Sequence, residues 1–424
     1  MLHTNKRLLV LGATAYSINV IRVAKTLGAY VIVVDPIKNH IAKKYADKSY
    51  DIDTSDVDAL YEMAVKEDVD GVFTGYSDVN LQICHILCDR LKLPFYAKSQ
   101  NQILQTTDKL KFKDMCRKYN VGVVPQYSVN ELATVEYPVI IKPADSYGSK
   151  GITVCYKYEE TADAILKAKK HSKTSQIIIE KYLGGLDDVN IDYVMQDGKI
   201  ILTAVGDRYV NTEQKGLSPL TAAVVYPSKH LDEYIKLLDS KVKTMFYEEG
   251  MHNGTVFIQS FFDGEQFYFF EMGYRVGGGQ SSMMVREMCG IDYVEELINF
   301  AFTGEMDDKD ISSMATPKFK KRACCLVPSL REGTIEKING LKEIGEMQEC
   351  VNITQFYDEG DSVPPSVIGN LGQSFARIHL VAESFESLCS IIKKINTLLH
   401  VKSTDGFEMI LPGGFTGEAL DGRK

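Results

Sequence analysis

An apolar run that ends in a lysine, followed by a short glycine-bearing loop with a second lysine, constrains this chain more than any other feature. It reads Val139-Ile140-Ile141-Lys142-Pro143-Ala144-Asp145-Ser146-Tyr147-Gly148-Ser149-Lys150-Gly151-Ile152. The pattern predicts strand, loop, strand. Glycines let backbone N–H groups come close to an anion, and the lysines put positive charge beside it. Such a loop can fold over phosphates. It is not a Walker A loop, which needs G-x-x-x-x-G-K-[ST] opening a helix, because strand-like Ile152-Thr153-Val154 follows Gly151. The competing reading is a glycine-containing hairpin with a solvated lysine.

Three further motifs accompany the loop. Thr107-Asp108-Lys109 lies upstream. Ile177-Ile178-Ile179-Glu180-Lys181-Tyr182-Leu183-Gly184-Gly185, then Asp187 and Asp188, lies downstream. Phe267-Tyr268-Phe269-Phe270-Glu271-Met272-Gly273-Tyr274-Arg275-Val276-Gly277-Gly278-Gly279 comes last. In this order the motifs resemble the ATP-grasp superfamily of ATP-dependent carboxylate ligases. The likeness is to the branch of biotin carboxylase, carbamoyl-phosphate synthetase, the formate- and carbon dioxide-using purine enzymes and the L-amino acid ligases.

Length and charge fit that scale. A chain of 424 residues corresponds to about three domains at roughly 100–200 residues each. A net charge of −9 argues against general nucleic-acid binding, which needs a basic face. No stretch approaches the roughly 18 apolar residues of a membrane span, and the N-terminus runs into a strand without a signal-peptide core. The nine cysteines have neither C-x-x-C nor metal-ligand spacing, which fits reduced thiols. The expectation is a cytoplasmic enzyme that binds neither nucleic acid nor membrane.

The fold class expected is α/β and α+β. Residues 1–104 alternate apolar strands (8–11, 30–34, 71–75) with helices (17–27, 78–91), which implies a doubly wound parallel sheet. Gly12-Ala13-Thr14-Ala15 lacks G-x-G-x-x-G, so Asp35 is not read as a ribose ligand of a dinucleotide. The resemblance implies a pre-ATP-grasp domain here, its helix N-termini shaping the substrate side of a cleft. Residues 105–306 would then be the ATP-grasp domain, with a mobile lid at about 118–188. Strands are expected at 126–128, 137–142, 152–156, 177–181, 191–194, 200–205, 255–262 and 267–272, with Asp263-Gly264 as a hairpin turn. A third, β-rich domain is expected over 307–411, and 412–424 reads as a mobile tail.

Site residues follow from the resemblance. Lys142 and Lys109 would hold the α/β-phosphates. The loop residues Ser146, Gly148, Ser149, Lys150 and Gly151 would cover the β/γ-phosphates. Glu180, with the backbone of Lys181, Tyr182 and Leu183, would meet the adenine edge, and Asp188 the ribose, with Asp187 as the other candidate. Glu271 ends a very apolar strand, where a carboxylate needs a cation or donors nearby, and a hard oxygen suits Mg²⁺. The family pattern has Glu where Gln259 stands and Asn where Gly273 stands. Gln259 and Glu271 are therefore the expected metal ligands, with one charge fewer than usual. Arg275 and Lys150 are the expected catalytic residues, Arg275 stabilising an acyl phosphate. Arg208, Lys215 and Arg286 are candidates for the substrate, with surface ion pairs as the alternative.

These parts imply an ATP- and Mg²⁺-dependent, ADP-forming carboxylate–amine ligase. Its substrates would be a small carboxylate, such as an amino acid, and an amine, and it could form a homodimer. Two rivals stand beside it: a bicarbonate-using carboxylase, and an ATP-binding module without catalysis.

Overall fold

A computed structural model describes residues 2–145, 150–211, 219–306, 309–421 and 423. Apolar residues in successive pairs along the first strands point to opposite faces, and both faces are covered. Arg7–Leu11, Tyr30–Val34, Lys48–Tyr50 and Gly71–Phe73 form a four-stranded parallel sheet, with Arg7–Leu11 and Tyr30–Val34 in the middle. Leu8, Val10, Val31 and Val33 pack with Val20, Ile21 and Ala24 on one side. Leu9, Leu11, Ile32 and Val34 pack with Leu60, Met63 and Leu87 on the other. Burial of both faces is what a parallel sheet requires. Asp35 is fully engaged: it accepts from the Ala13 and Ile37 N–H groups at 2.9 and 2.8 Å and pairs with His40 at 2.9 Å.

The helices Gln100–Thr107 and Lys109–Lys118 lead into a small antiparallel sheet. Its order is Gln126–Tyr127, Ile177–Lys181, Val139–Pro143, Thr153–Cys155, and the helix Thr161–His171 covers one face. Leu132, Val139, Ile141, Cys155, Ala164, Ala168 and Ile179 give this unit a core of its own.

An eight-stranded antiparallel sheet forms the body of the molecule. Its order is Phe267–Gly273, Gly254–Phe262, Asp187–Gln196, Lys199–Asn211, Leu220–Tyr226, Arg322–Leu326, Ala376–Ala382, Cys350–Gln355. Two expectations need correction here. First, the chain beyond 307 is divided between two sheets: Gly333–Asn339, Ser362–Val363 and His400–Ser403 form a small sheet of their own, but the rest is not separate from the large one. Three of its strands continue the same sheet, because Arg322–Leu326 pairs directly with Leu220–Tyr226. Second, the segment after 411 is packed rather than a mobile tail. Phe415 and Leu420 are buried with Cys389 and Leu388 nearby, and Arg423 pairs with Asp207 at 2.8 Å and donates to the Pro227 carbonyl at 2.9 Å. Glycines dominate the composition of this segment, but its two large apolar side chains decide where it lies. Deleting 412–424 would expose both, at roughly 1.5–3 kcal/mol each. The truncated chain should therefore melt several degrees lower in a thermal scan.

Candidate active site

The cleft lies where the small sheet faces one side of the large one. Strand alternation places Asp188, Asn190 and Asp192 on a common face of Asp187–Gln196. Register brings Arg208 beside Asp188, Gln259 beside Asn190, and Glu271 beside Gln259. The pairing slips at Phe270: Ser260 opposes Phe269, yet Gln259 opposes Glu271. The extra residue is a bulge, which lets two consecutive side chains share a face. Phe270 accordingly stacks on Phe261 with centroids 4.7 Å apart, while Glu271 lies next to Gln259.

From the small sheet, Lys142 and Glu180 are cross-strand neighbours in adjacent pairs and point the same way into the cleft. Both are buried, and Lys142 Nζ lies 2.7 Å from Glu180 Oε2. Lys142 also sits over the Phe270 ring at 5.9 Å, which ties the two sheets together across the cleft. The other Glu180 oxygen is taken by Lys113. Glu180, expected at the adenine edge, is thus held between two lysines. Two lysine side chains share one carboxylate in a dry site. Burial and the nearby Lys109 charge push Lys142 down to about 7, with Glu271 opposing. Burial and Lys142 push Lys113 down to about 6.

Lys113 escaped the sequence reading. The signal was its place on the buried face of the helix Lys109–Lys118, with Phe112 and Cys116 and one turn after Lys109, where a lysine needs a partner. Lys109 opens that helix, whose N-cap Asp108 accepts from the Leu110 and Lys111 N–H groups.

Of the adenine-edge candidates, the Lys181 and Tyr182 N–H groups donate to the Pro125 and Pro138 carbonyls at 3.0 and 3.1 Å. The Leu183 carbonyl accepts from Leu186. Gly151 has φ +77°, and a Cβ there would lie 2.7 Å from His171 Cβ, so only glycine fits. Lys150 is exposed beside it. Ser146, Gly148, Ser149 and Lys215 lie outside the described residues.

Asp188 is buried and paired with Arg208, whereas Asp187 pairs at the surface with Lys229 and His230, both at 2.8 Å. Arg275 was expected to stabilise an acyl phosphate. Its Nε and Nη2 each bond Asp78 at 2.7 Å, and Nη1 donates to the Val276 carbonyl. Asp78 opens the helix Asp78–Leu91 of the first domain, so this pair joins two domains at the cleft. Arg286 is held by Asp292 at 3.1 Å.

Gly273, where the resemblance led to an expected Asn, has no room for a side chain: a Cβ would lie 2.3 Å from the Phe257 ring and 3.2 Å from Asp78 Oδ1. Among the described residues, no three His, Cys, Asp or Glu side chains form a metal cluster. The oxygen donors in line are Glu271, Gln259 and Asn190, and Asn190 Oδ1 is buried without a hydrogen-bond partner. One carboxylate with amide oxygens fits a hard cation whose remaining ligands come from phosphate and water.

Residues 108–309 match the family of the carbamoyl-phosphate synthase L chain, ATP binding domain. That stretch is an ATP-grasp domain. It contains the lysines, the glycine loop and the strands that carry Gln259 and Glu271.

Among curated relatives, biotin carboxylase 1 of Bacillus subtilis is 24% identical over 72% of this chain and 72% of its own. Phosphoribosylamine–glycine ligase of Clostridium acetobutylicum is 25% identical over 57% of this chain and 62% of its own. The carbamoyl-phosphate synthases are much longer, and the chain spans 15% of the mitochondrial enzyme of Aquarana catesbeiana and 29% of the large chain of Pyrococcus furiosus. An L-amino acid ligase from Bacillus licheniformis has the same fold, with a TM-score of 0.78 at 19% identity over 95% of this chain and all of that one. The biotin carboxylase domain of Hydrogenobacter thermophilus 2-oxoglutarate carboxylase follows at 0.77 and 18%, covering 96% and 92%. No helix among the described residues is long and apolar enough to cross a membrane.

Proposed function

We propose that this chain is an ADP-forming ligase that joins a small carboxylate to an amine through an acyl phosphate. One observation carries the reading. Lys142 and Glu180 from the small sheet and Asp188, Arg208, Gln259 and Glu271 from the large sheet converge on one cleft, inside the ATP-grasp domain.

A carboxylate anion resists nucleophiles, so it has to be activated. Its oxygen attacks the γ-phosphorus of ATP, the bond from that phosphorus to the β–γ bridging oxygen breaks, and ADP leaves. The amine nitrogen then attacks the acyl carbon, the bond to the phosphate oxygen breaks, phosphate leaves, and the nitrogen gives up its proton. Lys109, Lys142 and Lys150 bind and orient the phosphates. Glu180 holds Lys142 in place. Glu271, Gln259 and Asn190 would hold Mg²⁺, which offsets phosphate charge when bound. The small sheet acts as the lid that keeps water from the acyl phosphate. The L-amino acid ligase likeness favours an amino acid as the acid, and two copies of the chain associate as in the Hydrogenobacter domain, which is described as a dimer.

ADP release measured against a panel of amino acids, small acids and bicarbonate, with and without amines, tests this. Amine- and acid-dependent release is expected. Release that depends on bicarbonate alone would point to a carboxylase. Tight ATP binding without release above background would make the chain a binding module.

A further inference from the structure

The glycine loop ends against a group of polar side chains that the chemistry above does not use. Gly278 and Gly279 border open space, since a Cβ on either meets nothing within 4 Å. Behind them, His379 Nε2 lies 3.2 Å from the Gly279 carbonyl. His379 and Gln280 are fully buried and face the Cys325 thiol and the Tyr76 hydroxyl, yet His379 Nδ1 and Gln280 Nε2 make no hydrogen bond of good geometry.

Arg377 stands two residues before His379 on the same face of the strand Ala376–Ala382, and Thr354, its partner in register, donates to Gln280 Oε1 at 2.8 Å. Arg377 is 5% exposed. Its polar contacts are the Tyr16 hydroxyl at 3.1 Å and Cys325 Sγ at 4.0 Å, and no carboxylate among the described residues pairs with it. A thiol is a weak acceptor, and a buried guanidinium without a counter-charge is costly. Arg275, also buried, and half-buried Arg208 and Arg423 each have an aspartate. Arg377 alone of these lacks one. Tyr16 belongs to the first domain, where it precedes the helix Ser17–Thr26, and its ring lies 5.3 Å from that of Tyr76.

We propose that Arg377, with His379 and Gln280, recognises a carboxylate on the small-molecule substrate, at the end of the cleft away from the phosphate-binding lysines. This rests on the ligase reading and adds the chemistry of the substrate: besides the group that is joined, it carries an anion. A guanidinium flanked by a neutral amide and an imidazole matches the planar, singly charged carboxylate. Unpaired donors held ready for a ligand also fit the usual cost of a functional site, which is lower stability of the empty protein.

The test uses the full chain and two variants, Arg377→Met and Arg377→Lys. Thermal shift and calorimetry would follow binding of succinate, glutarate, aspartate and glutamate, each beside its amide counterpart, with inorganic phosphate and ATP as references. At least one dicarboxylate should raise the melting temperature of the parent where its amide does less. Arg377→Met should weaken that binding at least about tenfold, the loss expected for a charge-assisted contact. It should keep the ATP-induced rise and melt no lower than the parent when empty, and Arg377→Lys should retain part of the effect. The proposal is overturned if no dicarboxylate binds the parent, if acid and amide respond equally, if phosphate matches the dicarboxylates, or if Arg377→Met melts well below the parent. Loss of the ATP response in the parent would overturn the ligase reading instead.

Discussion

Glu271→Ala should abolish ADP release even at high Mg²⁺, while Gln259→Glu should shift the Mg²⁺ requirement to lower concentration. Glu271 is the one carboxylate in the row Glu271–Gln259–Asn190, and the Gly273 position is filled by Phe257 and Asp78. A single carboxylate neutralises less of a divalent charge than two, and Mg²⁺ holds its waters tightly. The parent should therefore need free Mg²⁺ well above the ATP concentration for full rate. Gln259→Glu adds the missing charge without new bulk, on a strand whose neighbours already accommodate the side chain. A Mg²⁺ titration of ADP release, paired with calorimetry of Mg²⁺ binding to the ATP-loaded chain, reads both effects. An unshifted curve for Gln259→Glu, or an active Glu271→Ala, would show that the cation is held elsewhere.

The second large effect is expected at Lys142. Lys142→Ala removes a charge-assisted contact to phosphate, worth about 1.5–3 kcal/mol, or roughly 10- to 150-fold in affinity. It also leaves Glu180 paired with Lys113 without Lys142 on its other oxygen. The same group predicts a pH dependence. Burial and Lys109 bring Lys142 from its ordinary 10.5 down to about 7. Between those two values the unfolded chain holds the proton and the folded chain does not, so the Lys142 contribution to stability rises with pH across that window. Phosphates favour the charged amine, so ATP binding should take up a proton above about pH 7, and affinity should fall as pH climbs toward 9. Calorimetry in buffers of different ionisation enthalpy measures that uptake. Lys142→Ala should bind ATP more weakly and take up a smaller fraction of a proton. Unchanged affinity by calorimetry would remove Lys142 from the phosphate site.

Local pattern was enough for much of this protein. The runs Tyr30–Val34 and Ile177–Lys181 and the helix Asp78–Leu91 lie where apolar periodicity places them, because each buries a regular face regardless of its distant neighbours. The motif with Lys142, and the ordered stretches ending at Glu180 and Glu271, marked the ATP-grasp domain, since lysines and acids that end apolar strands need partners of a restricted kind.

What local pattern left open were the partners themselves. Lys113 meets Glu180, and Arg275 meets Asp78, across 67 and 197 positions of chain, distances over which no periodicity carries information. The bulge at Phe270 that turns Phe270 and Glu271 toward one face arises from pairing with a neighbouring strand. The continuation of the large sheet through Arg322–Leu326 and Ala376–Ala382, and the anchoring of Phe415 and Leu420, likewise depend on which surfaces come together. The sequence by itself determined that Lys142, Glu180 and Glu271 end apolar strands and need partners. Only the tertiary structure decided which buried charges were given a counter-charge, and showed that Arg377 was not, because pairing is set by register and domain packing rather than by neighbours along the chain.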